Sequence, residues 1–273
     1  MSQLELELPG MPEPLFAATP SKLAAFDACP RRYRFGYVDR PTPPQSLPRV
    51  NAVVGAAVHA ALRSWWELPQ SRRTPAAARQ LLDRHWSDVG TAGAADSAEW
   101  RARAAGWVDE HVAGLDPADP PLATERQVTV RTATLSVSGR VDRIDDRGEE
   151  LVVVDYKTGR RPSTEGEAAS SPALALYVLG VRRTLRRPCS RVELHHLPTG
   201  TVAGFDHTEA TLAEHVRRAE ATAAAATAAT AAVTAGGDTG AAFPVVTGRQ
   251  CAGCSFRRSC PEGRAAVRDL DAR

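Results

Sequence analysis

The chain has 273 residues, 43% of them hydrophobic, which is enough for one substantial core with a helical annex. Its formal net charge is only +2 and its pI is near 8.4, so bulk charge is excluded as a source of affinity for a polyanion and local patches must supply it. There is no run of about 18 apolar residues, and MSQLELELPG lacks a basic segment followed by an apolar one, so the reading is of a soluble, cytoplasmic protein with no membrane partner.

Residues 1–19 are proline-rich and poorly patterned, which predicts a flexible arm. Pro20 and Ser21 open a helical stretch, SKLAAFDACPRRYRF, with Ser21 as a candidate cap and Cys29 inside it. In NAVVGAAVHAALRSWWEL the residues Val54, Val58, Leu62 and Trp65 recur at helical spacing, and two further helical segments follow around 75–91 and 96–114. Residues 20–116 therefore read as a helical region.

After Pro117 and the Pro120-Pro121 break the period changes to two. A short strand is expected over Gln127 to Thr132, and TLSVSGRVDRI and LVVVDYKTG follow as strands joined by the turn-forming DDRGEE. SPALALYVLGVRR has Ser171 as its cap and Pro172 at the first helical position, and its apolar faces describe a buried helix lying on a sheet. RVELHHL and TVAGFDHT form a second hairpin, completing a core over 117–218. The Ala/Thr-rich tract of 219–240 is expected to be a helix that fades into a linker. The last segment, 241–273, holds three of the five cysteines and is too short to fold without a staple. An odd number of cysteines in a chain of this size favours reduced thiols or metal ligands over disulfides. Residues 20–273 are read as one domain.

Strand residues two apart share a face, so Asp155 and Lys157 project from one side of LVVVDYK while Val152, Val154 and Tyr156 project from the other. Asp142 lies on the preceding strand, and a connecting loop with an even number of residues puts it on the face of Asp155 and Lys157. Two carboxylates from separate strands suit Mg²⁺ or Mn²⁺, which keeps waters and completes its shell with substrate phosphate. Lys157 beside them suits the orientation of a water or the neutralisation of charge on phosphorus oxygens, the logic of a phosphodiesterase. On pattern alone the same residues serve equally well as ordinary polar groups at strand ends. Against that, three consecutive valines mark a central, doubly buried strand, whose charged end is either paired or functional.

With GRVDRID followed by VVVDYKTG, the sequence resembles the PD-(D/E)XK nuclease superfamily. The resemblance is to its RecB-like branch, which includes the CRISPR adaptation-associated nucleases and AddB-type helicase-nuclease domains. It is carried, in order, by SKLAAFDACPRRYRF, GAAVHAAL, the two-strand D…DYK, the helix containing ALALY, and CAGCSFRRSC. It implies an α/β fold: a restriction-endonuclease-like core, with a central mixed sheet flanked by helices, an N-terminal helical region and a C-terminal iron–sulfur segment. It also implies a metal-dependent DNA nuclease, an exonuclease or flap-trimming enzyme acting on single-stranded or end-bearing DNA in repair, recombination or CRISPR adaptation, with a helicase or other repair protein as partner. The alternative is a catalytically inactive iron–sulfur protein that binds DNA or acts as a scaffold.

Position by position, the resemblance implies that His59 is a metal ligand, with Gly55 one turn earlier letting its helix come close. Asp142 and Asp155 become metal-binding and catalytic carboxylates, the Tyr156 carbonyl a further ligand and Lys157 the catalytic lysine. Tyr177 matches a tyrosine that contacts DNA or supports the site. The chain departs from the pattern four residues before it, where Ala173 stands in place of the usual glutamine.

Cys251, Cys254 and Cys260 have C-x₂-C-x₅-C spacing, and Cys29 is their distant fourth member in the RecB-like pattern. The resemblance implies that these four hold a [4Fe–4S] cluster; on chemistry alone zinc is an equally suitable partner for four thiolates. Cys189 has no partner at ligand spacing and reads as a small buried residue. Arg31, Arg32 and Arg34 flank Cys29, and Arg257 and Arg258 lie between the clustered cysteines, so a cluster joining the chain ends would merge them into one phosphate-binding patch. Arg182, Arg183, Arg186 and Arg187 form a second basic group, read with equal weight as a DNA contact or a solvated face.

Overall fold

Proline positions set the first helical boundaries in the computed structural model, which describes residues 15–271 apart from 90 and 92. Helix α1 (Pro20–Ala28) is capped by Thr19 rather than Ser21: the Thr19 hydroxyl accepts the Lys22 amide at 3.1 Å and Pro20 takes the first helical position. The helix expected to run on past Cys29 is interrupted there. Pro30 disfavours helical geometry in the residue before it, and Cys29 is extended (φ −170°, ψ 110°) before α2 (Pro30–Tyr33) and a π-helical turn, Arg34–Val38.

Of the expected flexible arm, residues 1–14 lie outside the described residues, and Phe16–Ala18 is not loose but forms strand β1. It pairs in parallel with the start of β3, and the Phe16 amide donates to the Thr134 carbonyl at 3.0 Å. Free backbone donors and acceptors at a sheet edge draw in such a segment whatever its side-chain pattern.

Helices α3 (Val50–Trp66), α4 (Pro75–His85) and α5 (Ala94–Ala113) follow. Their apolar stripes, including Val54, Val58, Leu62 and Trp65, bury against Val152, Val154 and Tyr156 on one face of the sheet. Each such aliphatic or aromatic side chain contributes about 1.5–3 kcal/mol on full burial, and Trp65, with no exposed surface, also donates its indole N–H to the Thr74 carbonyl at 3.0 Å.

The sheet has six strands: β1, β2 (Ala123–Arg131), β3 (Leu135–Asp146), β4 (Leu151–Lys157), β5 (Cys189–His196) and β6 (Thr201–Asp206). β2 begins four residues earlier than the alternation suggested. It covers one edge of β3, while β1 and β4 share the other. β4 and β5 are parallel and β5 and β6 antiparallel, so the sheet is mixed. After the short α6 (Glu165–Ser170), helix α7 (Pro172–Leu185) begins as expected, with the Ser171 hydroxyl accepting the Leu174 amide at 3.4 Å, and packs Leu174, Val178 and Val181 on the sheet face opposite α3 to α5.

The Ala/Thr tract stays helical throughout α8 (Glu209–Thr234) and does not fade. Threonine disfavours helix by competing for backbone groups. Here the Thr227 and Thr230 hydroxyls satisfy themselves on the Ala223 and Ala226 carbonyls at 2.9 and 2.8 Å, while Ala219, Ala223 and Ala226 are buried against α1 residues Leu23 and Ala25. Small side chains allow that close approach. The C-terminal part holds α9 (Thr239–Ala242), two short 3₁₀ turns and α10 (Pro261–Asp271). No helix among the described residues is long and apolar enough to cross a membrane.

Candidate active site

Strands β3 and β4 are joined by the four-residue turn 147–150, an even number, so facing residues share a side as the parity argument requires. Their ladder runs from Asp146 opposite Leu151 to Arg143 opposite Val154 and then opens. The next pair in register is Asp142 and Asp155. In the opening, Asp142 Oδ2 accepts the Tyr156 amide at 3.0 Å, so a side chain replaces the backbone partner that the ladder would have supplied.

Helix α3 brings His59 to the same point. Its Nδ1 lies 3.3 Å from Asp142 Oδ2 and its Nε2 lies 3.1 Å from the Tyr156 carbonyl oxygen. Gly55 permits this approach: a Cβ there would sit 3.2 Å from Thr158 Oγ1, just beyond the end of β4. Lys157 Nζ is 2.6 Å from Asp155 Oδ2. The structure thus brings His59, Asp142, Asp155, Lys157 and the Tyr156 carbonyl into one place.

Electrostatics at this place are those of an unneutralised anionic centre. Burial pushes the Asp155 carboxyl above its ordinary pKa, and the Asp142 charge adds to this against the pull of Lys157. Burial works against the imidazolium of His59, but the Asp142 hydrogen bond and the Asp142 and Asp155 charges outweigh it and raise the His59 pKa. A cation placed here would reverse each of these shifts.

Glu125, on β2, is a member of the cluster that the sequence analysis missed. One ligand atom each from His59, Glu125 and Asp142 lies within 4.8 Å of the others, the one such group among the described residues; Asp155, turned toward Lys157, stands outside it. Burial raises the Glu125 pKa, and Arg140 Nε pairs with its Oε2 at 2.5 Å. The only sequence signal was a glutamate just ahead of the alternating QVTV.

Tyr177 of α7 lies against β3 across Gly139, where a Cβ would fall 2.4 Å from the tyrosine Cε1. Burial raises the phenol's pKa, and the Asp155 and Asp142 charges push it further, which puts the ring beside the carboxylates. Ala173 and Tyr177 both line a groove between α1 and α7 that also reaches Asp27 and Arg218. Gly139→Ala is expected to cost about 1–3 kcal/mol by overpacking, read as a lower urea midpoint, and the added Tyr177→Leu change recovers part of the loss. An unchanged midpoint would mean that the ring is not seated on Gly139.

At the far end of α1, Cys29, Cys251, Cys254 and Cys260 line one small cavity together with Arg31 and Phe256. The first, second and fourth of these cysteines are buried and Cys254 is half-buried. Backbone amides point at two of the sulfurs, Val246 N–H to Cys29 Sγ at 3.4 Å and Gly263 N–H to Cys260 Sγ at 3.3 Å. Arg31 ties the two ends of the chain together through Glu262 at 2.6 Å, and Phe35 meets Phe256 edge to face at 5.6 Å. Cys189 is buried in the core under α7, which pushes its thiol up to about 12.

Arg31 is therefore engaged in an ion pair, while Arg32 is exposed beside the cavity with no side-chain partner among the described residues, and Arg257 likewise has none. In the second basic group three of the four arginines are engaged. Arg182 pairs with Glu209 at 2.6 Å, Arg183 donates to the Arg131 carbonyl at 2.8 Å, and Arg187 pairs with Asp146 at 2.5 Å, fastening the end of α7 to its neighbours. Arg186 caps α7 in the left-handed conformation (φ 55°). On the other side of Lys157, Arg160 is exposed on the loop after β4, with Arg161 beside it holding Glu167 at 2.9 Å.

The family model described as the PD-(D/E)XK nuclease superfamily matches residues 17–261 of the chain. No match is found among curated proteins. Among solved structures, one from Eubacterium rectale that is provisionally described as an exonuclease is similar, with a TM-score of 0.44 and 10% identity over 81% of this chain and 82% of that one.

Proposed function

Because the chain belongs to the PD-(D/E)XK nuclease superfamily, we propose that it is a divalent-metal-dependent deoxyribonuclease of the RecB-like branch, trimming single-stranded or end-bearing DNA in repair, recombination or CRISPR adaptation. The observation that carries this reading is the meeting of His59, Asp142, Asp155 and Lys157 where the β3–β4 ladder opens. Residues 20–273 act as one domain, and a helicase or other repair protein supplies unwound DNA.

The donor set fits Mg²⁺ or Mn²⁺. Two ligands on one octahedral ion with bonds of about 2.1 Å stand about 3–4.2 Å apart; His59 and Asp142 offer ligand atoms within 4.8 Å of each other, and the Tyr156 carbonyl oxygen lies 3.1 Å from His59 Nε2. His59, Asp142, Asp155 and the Tyr156 carbonyl would hold the ion, which supplies Lewis-acid polarisation of the scissile phosphate. The chain's own part is positional. Lys157 presents its ammonium at the end of β4, where it can donate to the phosphate oxygens that gain charge as a water oxygen bonds to phosphorus and the P–O ester bond breaks. Asp155 holds that ammonium in place. Tyr177 backs the carboxylates, and Arg32, Arg257 and, less freely, Arg31 draw in the DNA backbone.

The four cysteines that line one cavity hold a [4Fe–4S] cluster in this reading, with zinc as the alternative. Two amide-to-sulfur contacts suit the charged thiolates of either group. In this reading the C-terminal segment is an iron–sulfur segment and the cluster is a structural clamp.

The test is anaerobic purification with iron and sulfide analysis, followed by cleavage of end-labelled single-stranded, duplex and flap DNA with Mg²⁺, Mn²⁺ or chelator. Metal-dependent cleavage that chelator abolishes is expected. Salt-sensitive DNA binding with no turnover under either metal would instead identify a DNA-binding scaffold, the reading that Ala173 favours.

A further inference from the structure

The carboxylates form a longer row than the expected pair. In the β2–β3 register Thr124 faces Arg143 and Arg126 faces Val141, so Glu125 falls opposite Asp142. Asp142 in turn adjoins Asp155 across the opening of β3 and β4. Like charges on neighbouring strands repel, and a row of three acids is unfavourable unless cations lie among them.

The backbone at this row is irregular. Val141 and Ile144, three residues apart, are buried in the same cluster under α7, and Ala123 and Val128, five apart, pack in that cluster too. Both strands therefore break alternation between these positions, and in β2 the interval contains Glu125, whose φ is 48°. Glycine or asparagine adopts that conformation with less strain. The chain instead carries a glutamate whose side chain is only 12% exposed and whose carboxylate lies beside His59 and Asp142.

We propose that Glu125 belongs to the ligand set of the divalent-metal centre, forming with His59 and Asp142 a three-residue face that holds a cation without help from Asp155. This deepens the metal-centre reading above and rests on it. Within that face His59 also lies against the Tyr156 carbonyl, its Nε2 3.1 Å from the oxygen, while Asp155 is turned toward Lys157. Arg140 Nε pairs with one carboxylate oxygen of Glu125, Oε2. An imidazole and two carboxylates around one ion are as suitable for Mn²⁺ as for Mg²⁺, with the nitrogen favouring Mn²⁺.

Mn²⁺ binding measured by electron paramagnetic resonance, with Mn²⁺-induced change in Tm as a second readout, tests this on the full-length protein. Four forms are compared: wild type, Glu125→Gln, Asp155→Asn and the double variant. Glutamine keeps the size of the side chain and an oxygen for Arg140, so the fold is retained. Expected are at least tenfold weaker Mn²⁺ binding in E125Q, measurable Mn²⁺ retained in D155N, and loss of it in the double variant, each with a matching loss of Mn²⁺-induced stabilisation. Cleavage by E125Q recovers as Mn²⁺ is raised. If Glu125 serves only its ion pair, Glu125→Gln and Arg140→Gln lower the metal-free Tm alike and leave Mn²⁺ affinity unchanged, which overturns the proposal while the metal centre stands. A wild type that binds no Mn²⁺ overturns the metal centre itself and Glu125 with it.

Discussion

Lys157→Ala is expected to lower DNA cleavage by about 10³-fold, the scale seen when one preorganised donor to a developing anion is removed. The geometry accounts for so large an effect. Lys157 is the one ammonium at the opening of β3 and β4, its Nζ 2.6 Å from Asp155, and the strand that carries it is fixed by Val152, Val153 and Val154, all fully buried or nearly so. The side chain itself is 44% exposed, so its pair with Asp155 adds at most about 1 kcal/mol to stability, and the variant should melt close to wild type. Lys157→Arg should recover little, because a planar fork does not place its charge where a compact ammonium does. The check is single-turnover cleavage of end-labelled DNA at saturating Mn²⁺, with the melting temperature measured on the same samples. Equal rates for Lys157→Ala and wild type would remove this residue from the chemistry.

Cys29→Ser should be the most destabilising of the cysteine changes. The cluster reading joins α1 and α2 to the segment after α9 across a loop that spans most of the chain, and a cross-link closing a loop of that size is worth about 4–5 kcal/mol. At about 2–4 °C per kcal/mol for a domain of this class, the melting temperature falls by about 10 °C or more. Iron content and visible absorbance are lost with it, and limited proteolysis cuts first between 243 and 260, where the 3₁₀ turns have little apolar packing beyond Phe243 and Phe256. Cys189→Ser is the control. It sits in a separate core and should leave iron content unchanged. Wild-type protein with neither iron nor sulfide, melting together with Cys29→Ser, would refute the clamp.

Much of the fold was legible because burial wrote it into the sequence with a clear period. The apolar stripe of α3, the valine run of β4 and the Ser171-Pro172 start of α7 each follow from a local rule, and each element lies where that rule puts it. Features decided by tertiary contact did not show. β1 exists because an edge of β3 was available, and α8 keeps its Ala/Thr tract helical because small residues pack on α1. The break at Cys29 was written in Pro30, but the apolar pattern running through it concealed the stop.

At the candidate site, strand parity put Asp142 on the side of Asp155 and motif order pointed to His59; the structure places His59 beside Asp142 and Asp155 against Lys157. Glu125 escaped because alternation was sought in phase, and the strand breaks alternation in the interval that contains that residue. The basic group around Arg182 to Arg187 stays open in the sequence between a DNA contact and a solvated face. A run of arginines looks the same whether it faces DNA or neighbouring carboxylates and carbonyls, and only the fold assigns it to Glu209, Arg131 and Asp146.

The central claim is that a divalent cation sits where β3 and β4 part. Crystals of the wild type soaked in Mn²⁺ test it by anomalous scattering. A manganese peak within about 2–2.4 Å of the Asp142 carboxylate, and close to His59, is the expected result; crystals that still cleave a soaked oligonucleotide in Mn²⁺ but show no manganese beside Asp142 would contradict it.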